Sequence, residues 1–298
     1  MSLRVTALTD PAVAPSGRRL AWLASDGDGA PVGSAFLRVP ARSGPDRVAG
    51  LELHVHPAER RAGIGTRLLD EAVAAGRAEG AALLGAEAED GSPGDRFLSA
   101  RGFRRALTLL YARLPLTGAE ADPAALDALA GIVDRPHPGY RLVSWQGTVP
   151  DELAGTFVES RGAMDDMPMG DTGYVPTVWD LERVRDAAAV VAKRGDLLHT
   201  VAAVHEADGA IAGFTELVVP GDGTGDAQHY GTGVLPAHRG HGLALWMKAA
   251  SVSGARERYP DLAGLLADTA DVNHWMRRVN DLLGYRPTHT AHEYRLDL

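Results

Sequence analysis

The sequence predicts an α/β chain of two tandem units, and three observations carry that prediction. The first is length: 298 residues exceed the usual reach of one hydrophobic core, so about two domains are expected. The second is a repeat. Arg60-Arg61-Ala62-Gly63-Ile64-Gly65 and Arg239-Gly240-His241-Gly242-Leu243-Ala244 share the pattern R-x-x-G-x-[GA], 179 residues apart, each after a β-like stretch ending in Val-x-Pro-Ala and before a helical one. The third is that helix-like segments close on Gly102-Phe103 and Gly284-Tyr285, 182 residues apart, so two landmarks keep nearly one spacing.

Within the first unit, Arg19 to Ala24 and Val32 to Val39 read as strands around the turn Asp26-Gly27-Asp28-Gly29, and Gly50 to His56 as the next strand. Residues 64 to 79 place Leu68, Leu69, Ala72 and Val73 on one helical stripe that stops at Gly80. Ala81 to Ala86 is a buried strand. In DPAALDALAGIVDRPHP, Asp122 is a candidate N-cap with Pro123 at N1, giving a linker helix. The second unit offers a strand near Tyr140 to Trp145, then helices near Pro150 to Arg161 and Asp180 to Arg194 without counterparts in the first. Strands follow at Leu198 to His205, Ala210 to Val219 and Gln228 to Leu235. A helix to about Arg258, a strand at Leu262 to Asp268, a helix at Asn273 to Leu283 and a hairpin from Tyr285 to Leu296 complete it. The expected division is 1–115, a linker helix at 116–138, and 139–298.

Hydrophobic residues at 45% and charged ones at 23% match an ordinary soluble protein. A net charge of -9 repels phosphate backbones, so neither nucleic acid nor an anionic membrane is an expected partner, and a cationic or small neutral substrate fits better. Without cysteine there is no disulfide framework, cysteine nucleophile or thiolate zinc site. The N-terminus carries no apolar signal-like run, and no apolar run approaches the ~18 residues of a membrane span, so a cytoplasmic location follows by default. Lysine occurs only at Lys193 and Lys248, a bias read as genomic and given no functional weight. His54 and His56 share a strand face but lack a third ligand, so no metal site is expected. A monomer or homodimer is expected.

A strand feeding a glycine-interrupted loop that opens a helix aims unpaired N–H groups and the positive end of the helix dipole at one spot, which suits a pyrophosphate. With VHPAERRAGIGTRLL and VLPAHRGHGLALWMK, the chain resembles the Gcn5-related N-acetyltransferase (GNAT) superfamily, and DTADVNHWM and VNDLLGYR extend the resemblance. The resemblance implies two tandem GNAT-like domains, each a mixed, mostly antiparallel sheet flanked by helices. It also implies acetyl-CoA or another acyl-CoA, bound in the second unit by Arg239, Gly240, His241, Gly242, Leu243 and Ala244. The strand at Val234 would hold the pantetheine, and Leu235 and Asn273 are further cofactor-binding positions. The matching positions in the first unit are Val55 and Arg60, Arg61, Ala62, Gly63, Ile64 and Gly65. His238 and His241 flank the loop and are expected to meet CoA phosphate.

In this superfamily two helices roof the acceptor site, which points to the second unit for catalysis. A carboxylate commonly stands eleven residues before the motif, and a tyrosine four residues before the later glycine. Here those positions hold Ala49 and Gln228, and Leu98 and Asn280, so the usual base and acid are missing. Pairing Val219 with Ala227 would set Val218 opposite Gln228 and Glu216 opposite Tyr230, gathering Glu216, Gln228, Tyr230 and Thr232 on one face. Glu216 is then the candidate base, with a solvent-facing strand glutamate as the alternative. Tyr230 and Asn280 are candidate catalytic partners. Glu159, Asp165 and Asp166 are candidates to receive a cationic amine beside Gln228, or else form a solvated acidic loop; Met164, Tyr174 and Trp179 are candidate pocket walls. The expected function is acetyl-CoA-dependent N-acetylation of a small-molecule amine by direct attack in a ternary complex. A noncatalytic acyl-CoA-binding sensor and an O-acyltransferase are the alternatives.

Overall fold

The structure is a computed structural model and describes residues 3–9, 17–41 and 47–298. Two compact units emerge: residues 1–109, 169–175 and 290–298, and residues 110–168 and 176–289. Among the described residues there are twelve strands and seven α-helices, as the mixed α/β class requires.

Unit 1 begins as an antiparallel meander of β1 (Arg4–Thr9), β2 (Gly17–Ser25), β3 (Pro31–Pro40) and β4 (Val48–Val55). Among the described residues, no α-helix precedes Ile64 in this unit. Helix α1 (Ile64–Ala78) buries Ile64, Leu68, Leu69, Ala72 and Gly76 at helical spacing, and Gly80 ends it with a φ of 73°. β5 (Leu83–Glu89) returns parallel to β4, and α2 (Pro93–Ala100) follows, capped by Ser92. The core joins Val32, Leu37 and Val39 to the α1 stripe, Leu84 and Phe103.

The last strand departs from expectation. Instead of a hairpin, residues 286–297 form one strand, β12 (Arg286–Asp297), whose Ala291–Asp297 portion pairs antiparallel with β5. Tyr294 becomes fully buried in the unit 1 core, and that burial makes one long strand preferable to a turn.

Unit 2 contains the end of β6 (Arg104–Pro115), then α3 (Pro123–Val133), β7 (Tyr140–Gln146), α4 (Asp151–Ser160), α5 (Leu181–Lys193), β8 (Leu197–His205) and β9 (Ile211–Val219). β10 (Gly225–Val234), α6 (Leu243–Arg258), β11 (Leu262–Ala270) and α7 (His274–Leu282) complete it. The sheet order is β6-β11-β10-β9-β8-β7, antiparallel from β7 to β10 and parallel between β10 and β11. Every residue of β9 is buried, as befits a strand covered on both faces. Phe157, Ala188 and Val191 of α4 and α5 pack on Phe214 and Val218, while Ala249, Val252 and Ala255 of α6 pack on Leu217, Val219 and Leu265. Helix α3 is no free linker: Leu126 and Leu129 bury themselves in that second core, and Asp122 caps the helix as the sequence predicts.

Candidate active site

In each unit the parallel strand pair comes apart partway. β10 and β11 pair from Gly225–Leu262 to Gln228–Leu266, yet run on to Val234 and Ala270. β4 and β5 pair only from Val48–Leu83 to Gly50–Gly85, yet run on to Val55 and Glu89. Past these points the facing backbone edges are open to another partner.

Each splay leads through a 3-10 turn, Pro57–Glu59 or Pro236–His238, into the glycine loop. The leading arginine is anchored alike in both: Arg60 Nε donates to the Val55 carbonyl at 3.4 Å, and Arg239 Nε to the Val234 carbonyl at 3.0 Å. Gly63 and Gly242 begin α1 and α6 with φ of 83° and 74°, a region that disfavours any other side chain. Neither helix has a side-chain cap, whereas Ser92, Asp122, Asp180 and Asn273 cap α2, α3, α5 and α7. The first amides of Ile64, Gly65, Leu243 and Ala244 therefore lack both an intrahelical acceptor and a cap, which fits the pyrophosphate of an acyl-CoA. Arg61 carries a φ of 71° where its counterpart Gly240 has 84°, so unit 1 holds the same turn with a strained side chain.

Several expected contacts are already spent within unit 2. Both Nη atoms of Arg239 hold Asp166, at 2.6 and 2.8 Å, and this bond keeps the Asp166 carboxyl below its ordinary pKa. Asp166 thus neutralises the glycine-loop arginine, contrary to the expectation that it receives an amine. Asn273, expected among the cofactor-binding residues, uses its Oδ1 to accept from Met276 N at 3.2 Å as the α7 cap. His238 Nδ1 lies 3.0 Å from the Tyr140 hydroxyl. His137, which the sequence did not single out, stacks on Trp246 at 4.1 Å and reaches the His241 carbonyl at 3.0 Å. Glu159 and Asp165 are exposed. Tyr174 falls in the 169–175 segment of unit 1.

The register beside the splay corrects a second expectation. Gln228 does pair with Val218, but a bulge between His229 and Gly231 inserts one residue, so Glu216 faces Gly231 and Thr232 faces Thr215. Tyr230 is left exposed on the bulge, its hydroxyl accepting from Arg194 at 2.8 Å. The polar face of four residues does not form. Glu216 is neither solvent-facing nor free: its two oxygens accept from Arg161 Nη1 and Nη2, each at 2.7 Å, with both side chains buried. The guanidinium lies 4.8, 4.6 and 4.8 Å from the Phe157, Trp179 and Phe214 rings. Met164 packs against Gly231 and Gly233; a Cβ at Gly233 would stand 2.9 Å from its sulfur, so glycine is what lets the loop lie on β10.

A carboxylate does stand at the mouth of the splay. Asp268, two residues past the last β10–β11 pair, accepts from Gln228 Nε2 at 3.1 Å, and desolvation raises its pKa. On the opposite face of the sheet Lys248, 2% exposed, donates to Asn280 Oδ1 at 2.8 Å, while Asn280 Nδ2 donates to Thr269 at 3.2 Å. Asn280 is therefore an internal tether whose two polar ends are engaged, not a free group at the surface. Burial pushes the Lys248 ammonium down to about 7 and holds His229 well below its ordinary range; neither His229 nitrogen makes a well-formed hydrogen bond. The sequence reading missed Asp268, Lys248, His229 and Arg161. A lysine in the middle of an otherwise apolar helical stripe was the available signal.

A splayed strand pair leading through an uncapped glycine loop into a helix is present twice, once in each unit. Residues 5–103 match the Acetyltransferase (GNAT) family. The chain is 32% identical over 223 residues to a mycothiol acetyltransferase of Sanguibacter keddieii, a match covering 72% of this chain but only 64% of that relative's length. A tandem GNAT protein from the clavulanic acid biosynthesis pathway superposes with a TM-score of 0.75 at 27% identity, over 96% of this chain and 85% of its own. A GCN5-related N-acetyltransferase from Sphaerobacter thermophilus, at 18% identity, shares the fold with a TM-score of 0.64 over 93% and 80%. The chain thus carries a GNAT-family domain and has the plan of a tandem GNAT protein.

Proposed function

We propose that the chain is an acetyl-CoA-dependent N-acetyltransferase whose unit 2 passes the acetyl group directly to a small-molecule amine in a ternary complex. The observation that carries this reading is the β10–β11 splay, with a carboxylate held by Gln228 at its mouth and an uncapped glycine-loop helix at its end. Bound acetyl-CoA would supply an activated thioester carbonyl. The amides of residues 240–244 would hold its phosphates, and the splayed edge of β10 at Val234 its pantetheine. Arg239, neutralised by Asp166, would orient the loop.

Asp268 takes the proton-accepting role that the sequence gave to Glu216. Its raised pKa brings it nearer to neutral pH, where a base works best, and Gln228 holds it in place. Glu216 instead fixes Arg161, and through it the segment carrying Met164, on β10. The names of the Sanguibacter keddieii relative and the family favour acetyl transfer, and the absence of cysteine favours direct attack over a thiol-bound acyl-enzyme. An acidic chain suits a cationic acceptor.

The test is free-thiol release from acetyl-CoA across a panel of amines and aminoglycosides, with calorimetric CoA stoichiometry on the same sample. Turnover with an amine supports the reading. CoA binding without turnover across the panel shifts it to a noncatalytic acyl-CoA-binding protein, and no CoA binding overturns both.

A further inference from the structure

The two units provide an internal control for the buried polar cluster of unit 2. Lys248, Asn280 and Tyr285 occupy the positions that Leu69, Leu98 and Phe103 fill in unit 1, at the 179- and 182-residue offsets of the repeat. Allowing for the one residue inserted by the β10 bulge, His229 matches Leu51. All four unit 1 residues are buried and apolar, so the fold closes this core without any polar group. In unit 2 the same space holds a lysine, a histidine, an asparagine and a tyrosine, and leaves the His229 nitrogens and the Tyr285 hydroxyl without partners. Undirected packing does not select a buried ammonium that has no ion-pair partner among the described residues.

The place of that ammonium gives it a task. Lys248 Nζ sits 2.8 Å from Asn280 Oδ1 and 5.0 Å from the centre of the Tyr285 ring. Its charge is felt by His229 on β10 and by Asp268 on β11, the two strands that part here. Asp268 and Gln228 lie on the α4–α5 side of the sheet, Lys248 and Asn280 on the α6–α7 side, with the splay between them.

We infer that Lys248 is the acid of the reaction, delivering its proton through the splay to the thiolate that leaves as CoA, with Asn280 as its positioning residue. The inference rests on unit 2 being a CoA-dependent N-acetyltransferase. In the balanced step the amine nitrogen forms a bond to the acetyl carbon and gives up its proton to Asp268. The carbon–sulfur bond breaks with its electron pair on sulfur, and Lys248 NH3+ supplies the proton that makes the thiol. Lys248 is then reprotonated from solvent, and Asp268 releases the proton it took from the amine to solvent. A near-neutral amine–ammonium pair suits both halves of that cycle.

The chain's two lysines make the test direct, because exposed Lys193 serves as the reference for Lys248. In protein labelled with 15N and 13C at lysine, Lys248 is expected to titrate near pH 7, well below the ordinary lysine value of 10.5. CoA should shift the Lys248 titration, whereas desulfo-CoA, bound at the same site without the sulfur, should leave it close to that of the free protein. An equal effect of the two ligands, or a Lys248 titration at the ordinary lysine value of 10.5, overturns the inference. In parallel, Lys248→Met should lower kcat about a hundredfold with CoA affinity within threefold, and Asn280→Leu should move the Lys248 titration. Wild-type kcat in a folded Lys248→Met refutes the acid while leaving N-acetyl transfer standing; failure of CoA and amine turnover in the wild-type protein refutes the transferase reading itself.

Discussion

Replacing Arg161 by methionine should destabilise unit 2 by about 3–5 kcal/mol, the usual consequence of leaving one member of a buried ion pair without the other. The pair is closed on all sides. Both Glu216 oxygens sit 2.7 Å from guanidinium nitrogens, the side chains are 8% and 9% exposed, and three aromatic rings enclose the cation. Methionine restores packing volume but leaves a carboxylate facing Phe157 and Phe214. With a urea slope of about 2 kcal/mol per molar, the midpoint falls by roughly 2 M. Tryptophan fluorescence reads this unit, since four of the five tryptophans, Trp145, Trp179, Trp246 and Trp275, lie in it. The double variant Arg161→Met/Glu216→Leu should recover most of the loss, because an apolar pair of similar volume removes the stranded charge. A loss under about 1 kcal/mol, or a double variant as weak as the single, refutes the reasoning. If the double variant folds like wild type but has lost amine turnover, Glu216 has a chemical role after all.

Gly242→Trp should abolish CoA binding at unit 2, while Gly63→Trp leaves the stoichiometry unchanged; equal losses in titration calorimetry would show two working sites. Burial holds His229 and His199 below their ordinary pKa, so the native state refuses protons that the unfolded chain takes up near pH 6.5. The histidine contribution should be fully present above about pH 6.5 and fall away by up to about 1.4 kcal/mol per pH unit per histidine below it, and a flat urea midpoint between pH 7.5 and 5.5 would contradict this. In unit 1, the Tyr294 hydroxyl donates to buried Asp95 and accepts from Arg105 Nε at 3.0 Å. Tyr294→Phe should cost about 1–3 kcal/mol and speed hydrogen exchange in β5 and α2 but not in β9.

The repeat, both glycine-loop helices and the caps at Asp122 and Gly80 were legible because each depends on neighbours within one or two turns. What escaped depends on contacts distant in sequence. The single strand at 286–297 is set by pairing with residues 83–89, which no local pattern announces. One residue inserted at the β10 bulge moved Tyr230 away from Glu216, and a register argument from an ideal ladder carries no warning of a bulge. Asp166 meets Arg239 across 73 positions, so acidic residues read as free were already paired. The family match, at residues 5–103, falls in the unit whose core is apolar. The match therefore covers the unit with the apolar core, while the polar residues that distinguish unit 2 lie outside its range.

That distinction has a thermodynamic consequence. A lysine shifted from 10.5 to about 7 represents about 5 kcal/mol withheld from the folded state when the ammonium is charged, from about 1.4 kcal/mol per pH unit. Lys248→Met, which imitates the Leu69 solution of unit 1, regains much of this and loses the hydrogen bond to Asn280, worth about 1 kcal/mol. A net stabilisation of about 2–4 kcal/mol is expected at pH 7. Its pH dependence is diagnostic. Between pH 7 and 10.5 the unfolded lysine holds a proton that the native one has lost, so the wild type gains stability as pH rises and the advantage of methionine shrinks. Urea unfolding of both proteins across that range measures the difference. A methionine variant that is less stable at every pH would mean the lysine serves the fold; one that is more stable and slower would mean that unit 2 retains Lys248 for chemistry, against the preference of its own core.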